Sequence, residues 1–403
     1  MERSSRVELR KRNKQNDIFN LIQINGRLSR ADIKRLSKYS MNTVLNGVGV
    51  LLKQGLIMEA GIGESHGGRR PIWIEVNPEG GFFIGVEFYT RNIHTLVLNL
   101  KGERIYMDRI ELGGKLEARQ ILETIKESVR KSVIFLGARR VKVLGIGIGV
   151  PGALDKGKGI SVSYGQIANW ENIALREMMK KEFGVPVYLE NNVKVMALAH
   201  KWLDAGAAGD FLFLCIRSGI GMACVLQNEL YTGRDNNAGE IAHFPLPGGS
   251  RRCYCGNAGC LETEASNDAM IAKAKEGIAA GRFPALKPFF ANPAEAEADS
   301  FFKAIKTGQP DALKLLEESA ESLGFVLAAA VTILNPPKAI IWGNAPAAGD
   351  EFLHVLKAAL RRYAPAANVK GFSIERSKWG SELGALGAAA LVMHHRLNFV
   401  RTA

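Results

Sequence analysis

Residues 239–262 read GEIAHFPLPGGSRRCYCGNAGCLE and are the most informative segment of this 403-residue chain. The segment holds three of the five cysteines and one of the seven histidines, and the cysteines follow a Cys-x-Cys-x4-Cys spacing. Three thiolates and one imidazole form a ligand set that tetrahedral Zn²⁺ prefers. The spacing therefore predicts a structural zinc site made by His243, Cys253, Cys255 and Cys260. The alternative is that these cysteines are buried thiols or form a disulfide.

Two carboxylates, Glu240 and Glu262, flank the predicted metal ligands and are available to contact a polar ligand. The whole segment resembles the zinc and sugar-binding signature of the ROK family, which contains sugar kinases and sugar-responsive repressors. The resemblance implies that one ring nitrogen of His243 binds zinc while the other is directed towards the sugar or its surroundings.

The length of the chain is sufficient for two or three domains, each with its own core. No uninterrupted apolar run reaches the roughly 18 residues of a membrane span, and the charged start, MERSSR, lacks the apolar segment of a secretory signal. An odd number of cysteines with metal-like spacing favours a reducing compartment over a disulfide framework. We therefore predict a cytoplasmic protein without membrane contact.

The net charge of +13 is spread unevenly along the chain. Residues 1–75 carry 14 Lys and Arg against 7 Asp and Glu, whereas the other 328 residues carry 39 against 33. A basic excess in the first fifth of the chain indicates a polyanionic partner for that part alone.

Three helix patterns and two strand patterns in this basic part predict a winged helix-turn-helix. A helix over about 10–25 is followed by a second helix capped by Ser29, and a third helix over 41–54 is capped by Ser40. The predicted DNA-contacting residues near the start of the third helix, where a recognition helix meets base edges, are Ser40, Asn42, Thr43 and Asn46.

A wing follows, formed by strands near 56–59 and 72–76 around a Gly-rich tip that carries Arg69 and Arg70. These two arginines are predicted to contact phosphates or the minor groove of double-stranded operator DNA. The helix start and the tip together resemble the DNA-binding half of ROK repressors, a half that the family's kinases lack. The alternative is a protein-docking module whose lysines and arginines are simply solvated.

From Gly81 onwards, strands alternate with helices in the order strand, strand, strand, helix, strand, and a similar series starts near 211. This order is typical of an α/β lobe of the actin-like or hexokinase-like (ribonuclease H-like) kind. The predicted domains are a winged helix-turn-helix over 1–80, a first lobe over 81–200 with a C-terminal helix at about 381–400 packing back on it, and a second lobe over 201–380 with the zinc loop.

The segments that match the nucleotide-binding motifs of ROK kinases are altered. The kinases resemble one another in a first phosphate loop of the form Asp-x-Gly-Gly-Thr-Lys. The matching segment of this chain is 87-EFYTRN-92, so Tyr89 and Thr90 replace the glycines that let backbone amides approach phosphates. The second loop reads 218-SGIGMA-223, and the adenosine-side glycine pair reads Gly343-Asn344. The three changes together argue against ATP binding.

The position of the catalytic base is changed as well. Family kinases carry Glu-Asn-Asp, in which the aspartate takes the proton from the attacking sugar hydroxyl, and this chain has Glu190-Asn191-Asn192. An amide does not accept that proton, and losing a general base typically costs about 10²–10⁴ in rate. We therefore predict that the protein is not an enzyme.

The sugar-binding side of the family pattern is kept. The resemblance implies a monosaccharide site between the lobes, because amides, carboxylates and an imidazole supply the fixed donors and acceptors that hydroxyl groups need. The residues that match the family's sugar-binding positions are Gly152, Asn191, Asn192, Glu240, His243 and Glu262.

These observations predict a sugar-sensing repressor of carbohydrate-use genes that acts as a homodimer or a dimer of dimers. Two alternatives remain: a ROK sugar kinase with a regulatory DNA-binding head, and a regulator whose input is a protein partner. The sequence leaves the sugar open among xylose, glucose, N-acetylglucosamine and their relatives.

Overall fold

The computed structural model describes residues 2–63, 70–89, 92–113, 117–137, 142–203, 209–292 and 296–397. The chain divides into two compact units. The first comprises Met1–Ala208 together with Gly380–Ala403, and the second comprises Gly209–Trp379.

The N-terminal part of the first unit is a helical head with a small antiparallel sheet of order β1-β3-β2. Side chains cap its second and third helices: Ser29 forms a capping box with Asp32, and the Ser40 hydroxyl accepts a hydrogen bond from the Thr43 amide at 3.3 Å. The elements of the head are α1 Glu2–Asn25, β1 Arg27–Leu28, α2 Arg30–Ser37, α3 Met41–Lys53, β2 Ile57–Ile62 and β3 Ile72–Val76.

The first helix is longer than predicted, because it begins at Glu2 and not near residue 10. The prediction used apolar periodicity, and that signal starts only at Ile18. The residues before it are mostly Arg, Lys, Glu and Gln, which are good helix formers but produce no apolar face.

The rest of the first unit up to residue 203 is built on a five-stranded sheet. Its elements are β4 Phe82–Phe88, β5 Asn92–Asn99, β6 Arg104–Glu111, α4 Ala118–Gly137, β7 Val143–Val150, β8 Ala153–Asp155, β9 Ile160–Ser163, β10 Glu171–Ile173, α5 Leu175–Phe183, β11 Val187–Asn191 and α6 Asn192–Leu203.

The second unit has its own five-stranded sheet and a helical layer, and the last helix of the chain then belongs to the first unit. The elements of the second unit are β12 Phe211–Ile216, β13 Ile220–Leu226, β14 Glu229–Tyr231, α7 Leu261–Ala265, α8 Asn267–Ala279, α9 Glu297–Lys306, α10 Pro310–Leu334, β15 Lys338–Gly343, α11 Asn344–Ala347, α12 Asp350–Tyr363, α13 Ala366–Val369 and β16 Ser373–Arg376. The last helix, which belongs to the first unit, is α14 Leu383–Leu397.

The two five-stranded sheets have the same topology. The strand order is β6-β5-β4-β7-β11 in the first unit and β14-β13-β12-β15-β16 in the second. In each sheet the first three strands form an antiparallel meander, and the last two add in parallel to the first strand. The repeated order confirms the predicted α/β fold class, with two similar halves behind a helix-turn-helix head.

Parallel pairing places the carboxyl ends of β4, β7 and β11 at one edge of the first sheet. Glu87, the penultimate residue of β4, pairs with Gly149 of β7, and Asn191 at the end of β11 pairs with Val150 of β7. Residues after these strands therefore gather at one edge, which is where ligands bind in sheets of this kind.

The head and the sheet of the first unit share one hydrophobic core. Buried residues of the head, such as Phe19 and Val48, belong to the same cluster as Leu100, Trp202 and the apolar face of α14. Polar contacts join the same parts: the Gln23 amide donates to the carbonyl of Lys101 at 3.2 Å. The head is thus packed on the rest of the first unit.

Among the described residues, none of the helices combines the length and the apolar character that crossing a lipid bilayer would demand.

Candidate functional site

The predicted metal ligands meet in the second unit. The ligand atoms of His243, Cys253, Cys255 and Cys260 all lie within 4.8 Å of one another. The Cys255 and Cys260 sulfurs are 3.6 Å apart, and Nδ1 of His243 is 3.5 Å from the Cys253 sulfur. Tetrahedral bonds of about 2.3 Å separate two sulfurs by about 3.8 Å. The four side chains therefore fit a tetrahedral metal ion. None of the five cysteines forms a disulfide, so the cysteines of the cluster are free to bind a metal.

Glycines give the loop that carries the three cysteines its shape. Gly256 and Gly259 have φ of +96° and +70°, a region that other residues rarely adopt. A side chain on Gly259 would also meet the carbonyl oxygen of Gly249 at 2.5 Å. The Cys253 amide donates to the carbonyl of Asn257 at 2.9 Å, which closes the turn that carries Cys255. The Gly-rich spacing seen in the sequence is thus the spacing that a tight loop requires.

The electrostatic surroundings of the thiols differ. Burial raises the pKa of the Cys260 thiol to about 12 and also raises that of Cys253. The pKa of Cys255, which is exposed, is lowered chiefly by a hydrogen bond from the Asn257 amide. A divalent cation at the centre of the cluster would favour the thiolate form of all three groups.

Of the predicted sugar-binding residues of the second unit, His243 belongs to this cluster, and Glu240 and Glu262 lie close to its members in sequence. Glu262 accepts a hydrogen bond from the Ile220 amide at 3.1 Å, and burial raises the pKa of its carboxyl group to about 7. Glu240 is exposed and immediately precedes the 3₁₀ turn Ile241–His243. The hydroxyl of Tyr254 lies 3.3 Å from Nε2 of His243, a contact that the sequence prediction did not include.

The predicted sugar-binding residues of the first unit lie at the common edge of β7 and β11. Gly152 has φ of +72°, and a side chain on it would meet the carbonyl oxygen of Ser163 at 2.2 Å, so the turn requires glycine. The Asn191 side-chain oxygen accepts from the Val193 amide at 2.9 Å and caps α6. Asn192, which is 8% exposed, begins that helix.

Gly152, Asn191 and Asn192 belong to the first unit, and Glu240, His243 and Glu262 belong to the second. The joint contact of these residues with one sugar stays a prediction.

The sequence analysis did not predict an ion pair that lies next to Asn191. The fully buried carboxylate of Glu190 pairs with the Lys156 ammonium at 2.6 Å, and its other oxygen accepts from the Asn191 amide at 2.9 Å. Lys156 therefore holds the segment that presents Asn191 and Asn192. Since 34 residues separate the two partners, no local spacing in the sequence reveals the pair.

Side chains occupy the space at the two segments that match the phosphate loops of the kinases. The Asn92 side chain donates to the Tyr89 hydroxyl at 2.9 Å across the β4–β5 turn, while Thr90 and Arg91 lie outside the described residues. In the second loop, a side chain on Gly219 would lie 2.4 Å from a Glu262 carboxylate oxygen. Glu262 accepts a hydrogen bond from the amide of Ile220 in this loop.

The structure places the predicted DNA-contacting residues on α3 and beside β3. Asn42 and Asn46 are exposed, Thr43 is half-buried, and the Ser40 hydroxyl is engaged in the helix cap. Arg70 is exposed, whereas Arg69 and the wing tip at 64–69 lie outside the described residues. Contact of these residues with DNA stays a prediction.

Similarity to known proteins extends over nearly the whole chain. The chain is 31% identical over 376 residues to the xylose repressor of Caldicellulosiruptor bescii, covering 92% of this chain and 93% of that protein. It is 27% identical to the glucokinase of Halalkalibacterium halodurans, but that match covers only 77% of this chain and 94% of the glucokinase.

A solved ROK family transcriptional regulator, described as a homologue of the E. coli MLC protein, has the same fold. It superimposes with a TM-score of 0.81 at 23% identity, covering 96% of this chain and 97% of that one. The sequence model of the ROK family matches residues 83–395, a range that includes all but the first residue of the two five-stranded sheets and the Cys/His cluster. A match over most of its length, together with the similarity to the xylose repressor, shows that the chain is a member of the ROK family.

Proposed function

We propose that this protein is a DNA-binding transcriptional repressor of carbohydrate-use genes, released from its operator by a monosaccharide, and that it does not act as a kinase. One observation carries the proposal: a helix-turn-helix head is fused to a ROK domain whose catalytic-base position is an amide, Asn192. The relatives named as repressors match over the head as well, since they cover 92–94% of this chain.

The head supplies the DNA contacts in this proposal. Two amides, Asn42 and Asn46, are exposed on the first turns of α3, where they are able to pair with base edges in the major groove. Ser40 and Thr43 lie at the helix start, and Arg69 and Arg70 are assigned to the wing. A homodimer or a dimer of dimers, acting in the cytoplasm, would present two such helices to half-sites about 34 Å apart.

The ROK domain receives the signal. Gly152, Asn191 and Asn192 from the first unit and Glu240, His243 and Glu262 from the second are assigned to the sugar. The name of the Caldicellulosiruptor bescii relative makes xylose the first sugar to test. Because α6 begins at Asn192 and ends near Trp202, a residue of the core shared with the head, sugar contact at Asn192 has a short packed route to the DNA-binding helices.

We assign the metal as structural Zn²⁺, bound by His243, Cys253, Cys255 and Cys260. Three thiolates with one imidazole suit zinc better than a hard cation, and all four positions are filled by protein. The ion would hold the loop that carries Glu240 and Glu262, so it would stabilise the second-unit half of the sugar site.

One experiment tests both the binding of DNA by the protein and the release of DNA in response to sugar. An operator is first selected from a random duplex pool by the purified full-length protein, and its Kd is measured by fluorescence anisotropy with a panel of monosaccharides. We expect one sugar to raise the Kd about 5–150-fold.

The matched variant for this test is Asn191→Asp. It keeps the oxygen that caps α6 but replaces the amide donor, so we expect weaker sugar binding, by about 5–150-fold, with unchanged operator affinity. If no monosaccharide alters operator affinity, the effector assignment is wrong.

The absence of kinase activity is tested with ATP and the releasing sugar. We expect no sugar-dependent formation of ADP by the wild-type protein, because Asn192 accepts no proton and Tyr89 and Thr90 replace the glycines of the first phosphate loop. Asn192→Asp restores only the base, so it should stay inactive. A wild-type turnover rate within the ordinary range of kinases, about 1–100 per second, would overturn the proposal in favour of a kinase with a regulatory head.

A further inference from the structure

We propose that Leu45 reads the 5-methyl group of a thymine in the operator, with Gly49 leaving the space for the close approach of α3 to the DNA. This specificity assignment rests on the proposed DNA-binding function and adds an apolar contact to the polar ones predicted above.

Leu45 has no role in the core of the head. The core-facing residues of α3, Val44, Val48 and Leu51, are at most 2% exposed, whereas Leu45 is 47% exposed. A single exposed leucine is common on protein surfaces and is not informative by itself. Its position is informative, because it lies on the outward face of the helix next to Asn42, three residues away, and Asn46, four residues after Asn42, borders the same face.

The two glycines of α3 have different explanations. Gly47 is buried, and a side chain there would meet Cδ1 of Ile18 at 2.5 Å, so packing of α3 on α1 accounts for it. Gly49 is exposed, has no positive φ, and has no heavy atom within 4 Å of the position where a side-chain carbon would stand. Glycine inside a helix weakens that helix relative to alanine. Nothing in the described part of the protein accounts for a glycine at position 49, so the space that it leaves is available to a molecule that approaches this face.

Leu45 and Gly49 are four residues apart and lie on one face of α3, in line with Asn42 and Asn46. That face therefore presents the amides of Asn42 and Asn46, the apolar side chain of Leu45 and an open space at Gly49. The major groove has a matching set of features: adenine pairs with an amide through N6 and N7, and the thymine methyl is the apolar group at its base edges.

The charge of the surrounding surface favours DNA over a protein as the occupant. Residues 30–53, which span α2 and α3, contain five Lys and Arg and one acidic residue. That acidic residue, Asp32, is held by Ser29 and Arg35 within the helix cap. Lys34, Lys38 and Lys53 are exposed, so a polyanion has cations on this surface to neutralise.

The experiment replaces each thymine of the selected operator by deoxyuridine, one position at a time, and measures the Kd of the full-length protein. Removing one methyl group from an apolar contact should weaken wild-type binding about 3–5-fold at one thymine per half-site. Leu45→Ala should bind the unmodified operator more weakly and should no longer distinguish thymine from uracil at that position.

Two further variants separate DNA contact from effects on folding. Leu36→Ala removes a leucine of similar exposure, 43%, from α2, so it should keep the wild-type response to uracil. Gly49→Ala should raise the Tm of the protein through better helix propensity while lowering its operator affinity. A structural role alone would not move stability and affinity in opposite directions.

Uniform binding of every uracil-substituted operator by the wild-type protein would overturn the inference and leave the repressor proposal intact. Unchanged or tighter operator binding by Gly49→Ala would remove the second half of the inference. If Leu45→Ala changes self-association and not the response to uracil, the leucine contacts protein and the inference is wrong. Failure of the wild-type protein to bind any duplex DNA would overturn both the inference and the proposed function.

Discussion

Cys260→Ser should abolish metal binding, lower the free energy of unfolding by on the order of 3–5 kcal/mol, and remove the response of operator binding to sugar. The reason is geometric. Cys260 is fully buried, its sulfur lies 3.6 Å from that of Cys255, and it immediately precedes α7. Loss of this ligand opens the tetrahedral set and releases the loop that leads to Glu262.

Three measurements check this expectation: zinc content by mass spectrometry, urea unfolding with and without a chelator, and operator affinity with the releasing sugar. The wild-type protein should hold one zinc ion per chain and lose stability on chelation, whereas Cys260→Ser should hold almost none and be indifferent to the chelator. Operator affinity without sugar should remain, because the head lies in the first unit.

The matched control is Cys215→Ala, which alters a buried cysteine of β12 that is outside the metal cluster. It should keep stoichiometric zinc and the sugar response. Cys260→Ser protein that retains zinc and wild-type stability would show that the four side chains do not form the metal site. Loss of zinc with an intact sugar response would instead separate the metal from the effector site.

Gly147→Ala should prevent the first unit from folding normally. Gly147 lies in the middle of β7, and a side-chain carbon there would stand 1.8 Å from the carbonyl oxygen of Ala388 in α14. Its backbone does not have a positive φ, so the cost comes from contact and not from strained torsion angles. Overpacking against side chains typically costs about 1–3 kcal/mol. Because the obstacle here is helix backbone, we expect more than about 3 kcal/mol.

The measurement is the soluble yield and the urea midpoint of the variant, followed by operator binding. α14 contributes to the core that the head shares, so displacing it should also weaken DNA binding. Gly137→Ala, at the exposed end of α4 with no heavy atom within 4 Å, is the control and should stay within about 0.5 kcal/mol of wild type. A wild-type midpoint for Gly147→Ala would mean that α14 does not approach β7 so closely.

Local sequence signals predicted the parts of the fold that depend on local physics. Ser29 and Ser40 predicted the starts of two helices. In the structure Ser29 caps α2 and Ser40 caps α3. Alternating strand and helix patterns predicted two α/β halves, and the two sheets have the same strand order. The start of α1 was placed about eight residues too late, because its first residues are helix formers without an apolar stripe.

The candidate site was predictable where its residues are close in sequence. The four metal ligands fall within 18 residues and are adjacent in space. Contacts between distant residues were not predictable: neither the Lys156–Glu190 ion pair nor the contact of Glu262 with the Ile220 amide leaves a local pattern. A sequence without an alignment contains no signal that joins such positions.

Residue type and spacing along the chain were enough to predict a basic helix-turn-helix head, a Cys₃His set able to hold a metal, and an amide at the position of the kinase base. Spacing and residue type carry that information because capping, metal ligation and proton transfer depend on the functional groups present. No local pattern indicates that the head shares a core with the rest of the first unit or that α14 packs against β7 at Gly147, and both are seen only in the folded chain. Packing of this kind depends on which surfaces meet when distant segments fold together, and that is a property of the whole chain.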